Sequence, residues 1–208
     1  MAYCDWDVDR EGRDYHDNIW GKPLHDDVKH FEFIAYEVLQ CGLSWWLVYG
    51  KREILRGCFD GFDFTKVAQY GDMDVDRILK TPGMIKSESK IRAIINNAKR
   101  YLEVIERFGT FDNYLWRFSE YKTIIYSGHM KGRIPASNGL SEKISKDLKS
   151  RGFKYLGPVV VYSHLQACGI INDHDENCEC YKEAIRLGNI VFKRAYKEKG
   201  VIDFGKNK

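Results

Sequence analysis

The sequence predicts an all-α protein, and three observations carry that prediction. Apolar residues recur at helical spacing along most of the chain, and no segment alternates apolar and polar residues for long enough to make a sheet. Two glycines five apart, Gly152 and Gly157, enclose a short apolar-basic stretch between two helical runs, the outline of helix, hairpin, helix. With 208 residues and 44% apolar content, the chain can bury one good-sized core or two small lobes sharing an interface. No internal repeat is visible.

Residues 1–28 are polar and turn-rich, yet they carry Trp6, Tyr15, His16 and Trp20, too many large rings for a disordered tail. From Lys29, the spacing of Phe31, Ile34, Ala35, Val38 and Leu39 is helical, which puts Glu37 within or beside an apolar face, where an unpaired carboxylate is costly. Gly42 ends or bends that helix. A second helix is expected from Trp45 to about Phe59, with Ser44 as its N-cap. A short helix follows Asp72 and stops at Pro82-Gly83. The strongest helix starts after Ser87 and shows Ile91, Ile94, Ile95, Ala98, Tyr101, Leu102, Ile105 and Phe108 on one face before Gly109. A helix over Phe111 to Phe118 and a loop over SGHMKGRIPASNG come next. Ser137 or Asn138 opens a helix that turns Leu140, Ile144 and Leu148 inward and Lys143, Lys146 and Lys149 outward. It leads into the hairpin, after which Pro158 suits a first helical position and the apolar run continues to Gly169. Past Tyr181 a basic amphipathic segment carries Ile185, Ile190, Val191 and Ala195, and the last residues are expected to fray.

Composition excludes several classes. The start, MAYCDWDVDREGRDYHD, is polar where a secretion signal needs an apolar core, and no stretch reaches the length of a membrane span. Six cysteines follow no secreted disulfide spacing, so a reducing compartment is expected, the cytoplasm, with some thiols holding metal. The net charge of +3 decides nothing by itself. A nucleic-acid partner has to be met by a local basic patch, and Lys143 to Lys154 supplies one.

Three constellations carry chemistry. At the hairpin, Gly157 admits close approach of another molecule, the N-terminus of the helix after Pro158 presents free N–H groups to a phosphate oxygen, and Lys149, Arg151 and Lys154 add charge. Cys4 with His16 and His174 with Cys178 are two half-sites at opposite ends of the chain. Together they make a closed Cys2His2 set of the structural type, with Cys180 competing for the place of Cys178. Tyr15, Trp20, Glu37 and Trp45 combine rings and an acid, a receptor for a flat heteroaromatic, and better still for a cationic base. The bland alternatives are a turn between core helices, scattered thiols, and aromatic core with a salt-bridged Glu37.

The motifs C-x-W near the start, Y-H-D-x-x-W-G (Tyr15 to Gly21), E-x-x-Q-x-G-L-S-W (Glu37 to Trp45), K-R-E (Lys51 to Glu53), G-F-K-Y-L-G (Gly152 to Gly157) and Q-A-x-G-x-x-N-D-H-x3-C (Gln166 to Cys178) resemble, in order, those of the bacterial 3-methyladenine DNA glycosylase I family. The resemblance covers about residues 4–181. It implies an all-α helix-hairpin-helix DNA repair enzyme, one structural zinc ion on Cys4, His16, His174 and Cys178, and double-stranded DNA containing alkylated purines as partner. By the same resemblance, Glu37 is the catalytic acid group and joins Tyr15 in hydrogen-bonding the flipped base. Trp45 stacks on the base, Trp6 and Trp20 wall the pocket, and Gly42 and Leu43 sit near the gap left in the duplex. Gly152, Lys154 and Gly157 hold the strand. Asn172 falls where many hairpin relatives place a catalytic aspartate, and Asp173 is not assigned that role.

The expected organisation is one unit of two helical lobes. Residues 1–28 with 137–181 form the zinc and hairpin lobe, 29–136 the lobe with base-pocket residues, and 182–208 a C-terminal extension; a monomer is expected. Ile19, Val38 and Glu179 depart from the family pattern, and bulk at Val38 is expected to reshape the pocket beside Glu37. A zinc-stabilised DNA-binding module without catalysis is the competing class, which has no need of Glu37; a cysteine- or zinc-based hydrolase is a weaker third.

Overall fold

The computed structural model describes Cys4, residues 10–127 and residues 134–194. Trp6, residues 128–133 of the loop expected after Tyr126, Ala195 and the chain end expected to fray lie outside the described residues. The chain is mostly helical. Helix α1 (Arg10–Asn18) leads to α2 (Asp27–Gln40), whose N-cap Asp26 accepts the Lys29 N–H. All of His30 through Leu39 is buried. A helix covered on every side lies at the centre of a fold, and α2 packs on α3 (Trp45–Tyr49), α7 (Glu88–Phe108), α8 (Phe111–Trp116) and α10 (Pro158–Ala167). Its C-terminal carbonyls are closed from outside the helix: Lys90 Nζ donates to the carbonyls of Leu39 at 2.7 Å and Cys41 at 2.5 Å. That grip fixes the end of α2 next to Glu37.

The helix expected over Trp45 to Phe59 is two. After α3 the Gly50 N–H returns to Trp46 and the Lys51 N–H to Val48, a tightened turn, and α4 (Arg52–Cys58) sets off anew. Asp63 caps a short α5 (Phe64–Val67), and α6 (Asp72–Lys80) ends at Thr81 before Pro82-Gly83 as the sequence predicts. The strong helix is α7, and its face of Ile91, Ile94, Ala98, Tyr101 and Val104 is buried.

Asn138 caps α9 (Gly139–Ser150) through a bond from the Ser141 N–H. At its end Gly152, at φ +86°, is the left-handed residue that lets the Phe153 N–H close back on the Leu148 carbonyl. The hairpin that follows is bolted to its neighbours. Asn97 of α7 donates to the Lys154 carbonyl and accepts from the Lys154 N–H, Asn96 donates to the Gly152 carbonyl, and Ser145 of α9 donates to that of Leu156. Then Pro158 occupies the first turn of α10.

The prediction of no sheet needs correction. Thr123–Ser127 (β1) pairs in parallel with Ile190–Arg194 (β2), Thr123 opposite Ile190 and Ser127 opposite Arg194. Thr123, Ile124 and Ile125 are buried in succession, so β1 shows no alternation, and its partner lies far along the chain. The amphipathic segment after Tyr181 divides: α11 (Glu179–Leu187) stops at left-handed Gly188, and Ile190 and Val191 belong to β2. The other edge of β1 guides residues 170–172. The Ile124 N–H donates to the Ile170 carbonyl, and the Asn172 N–H donates to that of Ile124. One buried cluster runs from Tyr15 through α2 and α7 to Ile171.

Candidate active site and metal centre

Four segments converge on a cavity of about 250 Å3 lined by Tyr15, Trp20, Glu37, Gln40, Trp45, Trp46, Ser163 and Gln166. Tyr15 and Trp20 come from α1 and the turn behind it, Glu37 and Gln40 from one face of α2, Trp45 and Trp46 from the start of α3, and Ser163 and Gln166 from α10. Ser44 caps α3 by accepting the Leu47 N–H and so points the two tryptophans back over α2. Trp45 stacks on Tyr49 at 5.7 Å and 18°, while Tyr15 meets Trp45 at 5.2 Å and Tyr49 at 4.9 Å. The Trp45 Nε1–H is buried without a hydrogen-bond partner among the described residues.

Two glutamates on α2 show what sets Glu37 apart. Glu32 is buried, but Lys29 at 2.7 Å, Tyr36 at 2.5 Å and Arg56 at 2.6 Å all donate to it. Burial raises its pKa, and these donors more than reverse that, holding it below the usual carboxylate value. Glu37 has no such bond or ion pair among the described residues. It is 5% exposed, and burial alone pushes its pKa up to about 8. Tyr15 beside it is held well above the usual phenol range, first by burial and then by the Glu37 charge. An acid deprived of both water and partners is poised for a ligand that brings donors or positive charge.

Cys4, His16, His174 and Cys178 are all buried, and their donor atoms lie within 4.8 Å of one another. His16 Nε2 is 3.1 Å from His174 Nδ1 and 3.6 Å from Cys178 Sγ, and His174 Nδ1 is 3.5 Å from Cys4 Sγ and 3.9 Å from Cys178 Sγ. Metal–nitrogen bonds of about 2.0–2.1 Å and metal–sulfur bonds of about 2.3 Å at tetrahedral angles require edges of roughly 3.3–3.8 Å, close to these values. The outer nitrogens fit as well: His16 Nδ1 meets the Asp17 carboxylate at 2.7 Å and His174 Nε2 the Trp20 carbonyl at 3.2 Å, which aims the inner lone pairs at a common centre. Burial and then His16 lower the His174 pKa to about 3, so its ring stays in the neutral, ligating form. The donor set fits a metal ion, and the choice left open between the two late cysteines falls on Cys178. Cys180 Sγ instead approaches the His16 carbonyl at 3.9 Å. Metal centre and cavity share a wall, since Trp20 packs edge-on against His174 at 4.5 Å and lines the cavity. Gly21 makes room for this contact: a Cβ there would lie 2.6 Å from His174 Nε2.

Of the residues expected at the site, Tyr15, Trp20, Glu37 and Trp45 come together in the cavity, and Cys4, His16, His174 and Cys178 in the metal centre. Gly42, at φ +79°, and Leu43 are exposed on the loop between α2 and α3. Gly152, Lys154 and Gly157 lie on the hairpin, apart from the cavity lining. Lys149 and Lys154 are exposed, while Arg151, expected to add charge beside them, is bound by Asp147 at 2.7 Å and lies over the rings of Phe108 and Tyr114. Val38 points away from the cavity lining. It is fully buried in the core and is not among the lining residues. Sequence reasoning missed Gln40, Trp46, Ser163 and Gln166. Gln40 lies three residues past Glu37 and Gln166 three past Ser163, the helical spacing of one face, which was the available signal. Asp173 accepts from Tyr162 at 2.5 Å and Gln166 at 2.9 Å, so it braces a wall residue.

Scaffold and cavity define a helical protein with a ring-lined cavity beside a buried acid, next to a buried Cys2His2 cluster whose geometry fits a metal ion. The family model for methyladenine glycosylases matches residues 6–182, and the chain belongs to that family. It is 43% identical over 167 residues to DNA-3-methyladenine glycosylase 1 of Escherichia coli (strain K12), covering 80% of this chain and 89% of that one. It is similar to a solved structure of 3-methyladenine DNA glycosylase I from Staphylococcus aureus, described for its recognition of 3-methyladenine, with TM-score 0.82, 34% identity and coverage of 86% and 96% of the two chains. A tyrosine-to-phenylalanine variant of a 3-methyladenine DNA glycosylase I in complex with 3-methyladenine aligns with TM-score 0.80 at 33% identity, over 86% and 97% of the chains.

Proposed function

We infer that this protein excises 3-methyladenine from alkylated DNA by hydrolysing the N-glycosyl bond and leaving an abasic site. The observation that carries the reading is Glu37, a buried acid without a partner among the described residues, on the wall of a cavity with four aromatic residues. Adenine methylated at N3 is cationic in the nucleotide, and a weakly paired base is the cheapest to swing out of the stack. Its positive charge favours release of the proton that Glu37 holds in the free protein, its exocyclic amine donates to the carboxylate so formed, and Trp45 and Tyr15 offer ring faces. The leaving base departs neutral, so recognition of the cation does most of the work and water attacks the oxocarbenium-like sugar. Trp20 walls the pocket. The Trp6 assignment lies outside the described residues.

The hairpin between α9 and α10 is read as the grip on the strand. A Cβ on Gly157 would meet nothing within 4 Å and its φ is an ordinary −71°, so no contact among the described residues demands glycine there. Close approach of a phosphate to the free N–H groups of α10 supplies the demand, with Lys154 adding charge and Gly152 turning the chain. Gly42 and Leu43, exposed at the mouth side of α2, enter the gap left by the base. Cys4, His16, His174 and Cys178 hold a structural zinc ion that ties the N-terminal segment to the loop after α10 and supplies no chemistry to the base. The monomer and a cytoplasmic location complete the reading; no helix among the described residues is long and apolar enough to cross a membrane.

The test is release of 3-methyladenine from methylated duplex DNA by wild type and by Glu37→Gln. Loss of a charge-assisted bond of about 1.5–3 kcal/mol predicts a fall of roughly 10- to 150-fold with the circular dichroism unchanged. Equal release by the two proteins removes Glu37 from the reaction, and no release by wild type leaves a binding module.

A further inference from the structure

A second cluster of metal-binding side chains lies in the core, on the opposite face of α10 from the cavity residues. His30 of α2, His164 of α10 and Cys168 just behind α10 are all buried, and their donor atoms lie within 4.8 Å of one another. His30 is aimed as a ligand is aimed. Its Nε2–H is committed outward to the Leu24 carbonyl at 3.1 Å and the Asp112 carboxylate at 3.2 Å, so Nδ1 presents its lone pair inward. The same arrangement of carbonyl or carboxylate behind imidazole orients His16 and His174 in the Cys2His2 centre. His30 Nδ1 faces His164 Nε2 at 3.4 Å. That is long for a hydrogen bond between rings, and it falls on the roughly 3.3–3.6 Å edge that two imidazoles span when both bind one ion. Burial and then His30 push the His164 pKa well below its usual value, which keeps the ring in its ligating form. Nδ1 of His164 has no partner among the described residues whichever nitrogen carries the proton, so it does not discriminate.

We propose that His30 Nδ1, His164 Nε2 and Cys168 Sγ form a second metal site that takes copper(I). Two imidazoles and one thiolate are a copper donor set, and no fourth donor stands with them among the described residues, whereas zinc in closed protein sites takes four. Charge favours the same ion. Copper(I) and one thiolate sum to zero, and a neutral centre is the cheapest to hold in a core without solvent. Binding exchanges ions one for one: the Cys168 S–H bond, now directed at the Leu165 carbonyl, breaks, the copper–sulfur bond forms, and one proton leaves per copper bound with no change of oxidation state.

The full-length protein, with its Cys2His2 centre filled by zinc, is titrated with copper(I) delivered from a chromophoric chelator, in one arm as the folded protein and in the other during refolding. The expected result is one copper per chain in at least one arm with zinc retained, an X-ray absorption signature of one sulfur and two nitrogens, and loss of that equivalent in His164→Phe and in Cys168→Ser. Cys168→Ser is nearly isosteric and decides the matter if His164→Phe does not fold. Absence of copper from wild type in both arms, equal copper in Cys168→Ser, or loss of one zinc per copper gained overturns the proposal.

Discussion

Replacing Glu37 by Gln should stabilise the free protein at neutral pH even as it damages the enzyme. The sign follows from the pKa of about 8 in the folded state against an ordinary 4.5 in the unfolded one. Between those values the unfolded chain has released a proton that the folded chain still holds, so wild-type stability falls as pH rises through the window. The penalty integrates to about 1 kcal/mol near pH 5 and about 3 kcal/mol near pH 7, ceilings because water entering the cavity softens it. Glutamine has nearly the same shape, no charge, and no such slope. For a chain of this length, at roughly 2–4 °C per kcal/mol, the variant should melt higher at about pH 7 by at most about 6–12 °C, and the gap should shrink towards about pH 5. Paired calorimetric scans in matched buffers, without DNA, measure the difference, and every other titrating group cancels. A gap that stays constant from pH 5 to 8, or a Gln variant that melts lower at pH 7, refutes the description of Glu37 as a buried acid without a partner.

Trp45→Ala should weaken binding of free 3-methyladenine by roughly 5- to 150-fold, the worth of one stacked base, as read by isothermal titration. Two glycines of one helical region should behave oppositely. Gly157→Ala should leave stability within about 0.5 kcal/mol and reduce duplex affinity, whereas Gly169→Ala, at φ +72° with a Cβ 2.5 Å from the Lys22 carbonyl carbon, should cost more than about 2 kcal/mol. Denaturant melts and DNA titrations of both variants make that comparison. Gly21→Ala should push the His174 ring off the Trp20 carbonyl and weaken zinc retention about 10- to 100-fold, measured by chelator competition.

Local pattern made much of the molecule legible. The face of α7, the Ser44 cap, Gly109, the hairpin glycines and Pro158 all act over three to five residues, where helix geometry and backbone sterics speak directly. Order of motifs led to the four thiol and imidazole side chains that the fold brings within 4.8 Å of one another and to the ring-and-acid set that lines the cavity. The strand β1 was hidden because its five residues carry no alternation and its partner β2 lies at Ile190–Arg194. Gln40, Trp46, Ser163 and Gln166 went unseen as site residues because a helical face becomes a cavity wall only when another helix stands opposite it. The setting of Arg151 was hidden because its partners arrive in part from Phe108 and Tyr114, distant in the chain.

By itself, then, the sequence determined which segments coil and which chemical groups exist: two thiols and two imidazoles for one metal centre, a carboxylate and several rings for one ligand. Only the tertiary structure decided how those groups stand. It set Cys4 3.5 Å from His174 across 170 positions of chain, guided His174 into place along the edge of β1, chose Cys178 over Cys180, and gave Glu32 three donors while leaving Glu37 none among the described residues. The reason is that helix propensity is set by neighbours in the chain, whereas the protonation state of an acid and the closure of a metal site are set by neighbours in space.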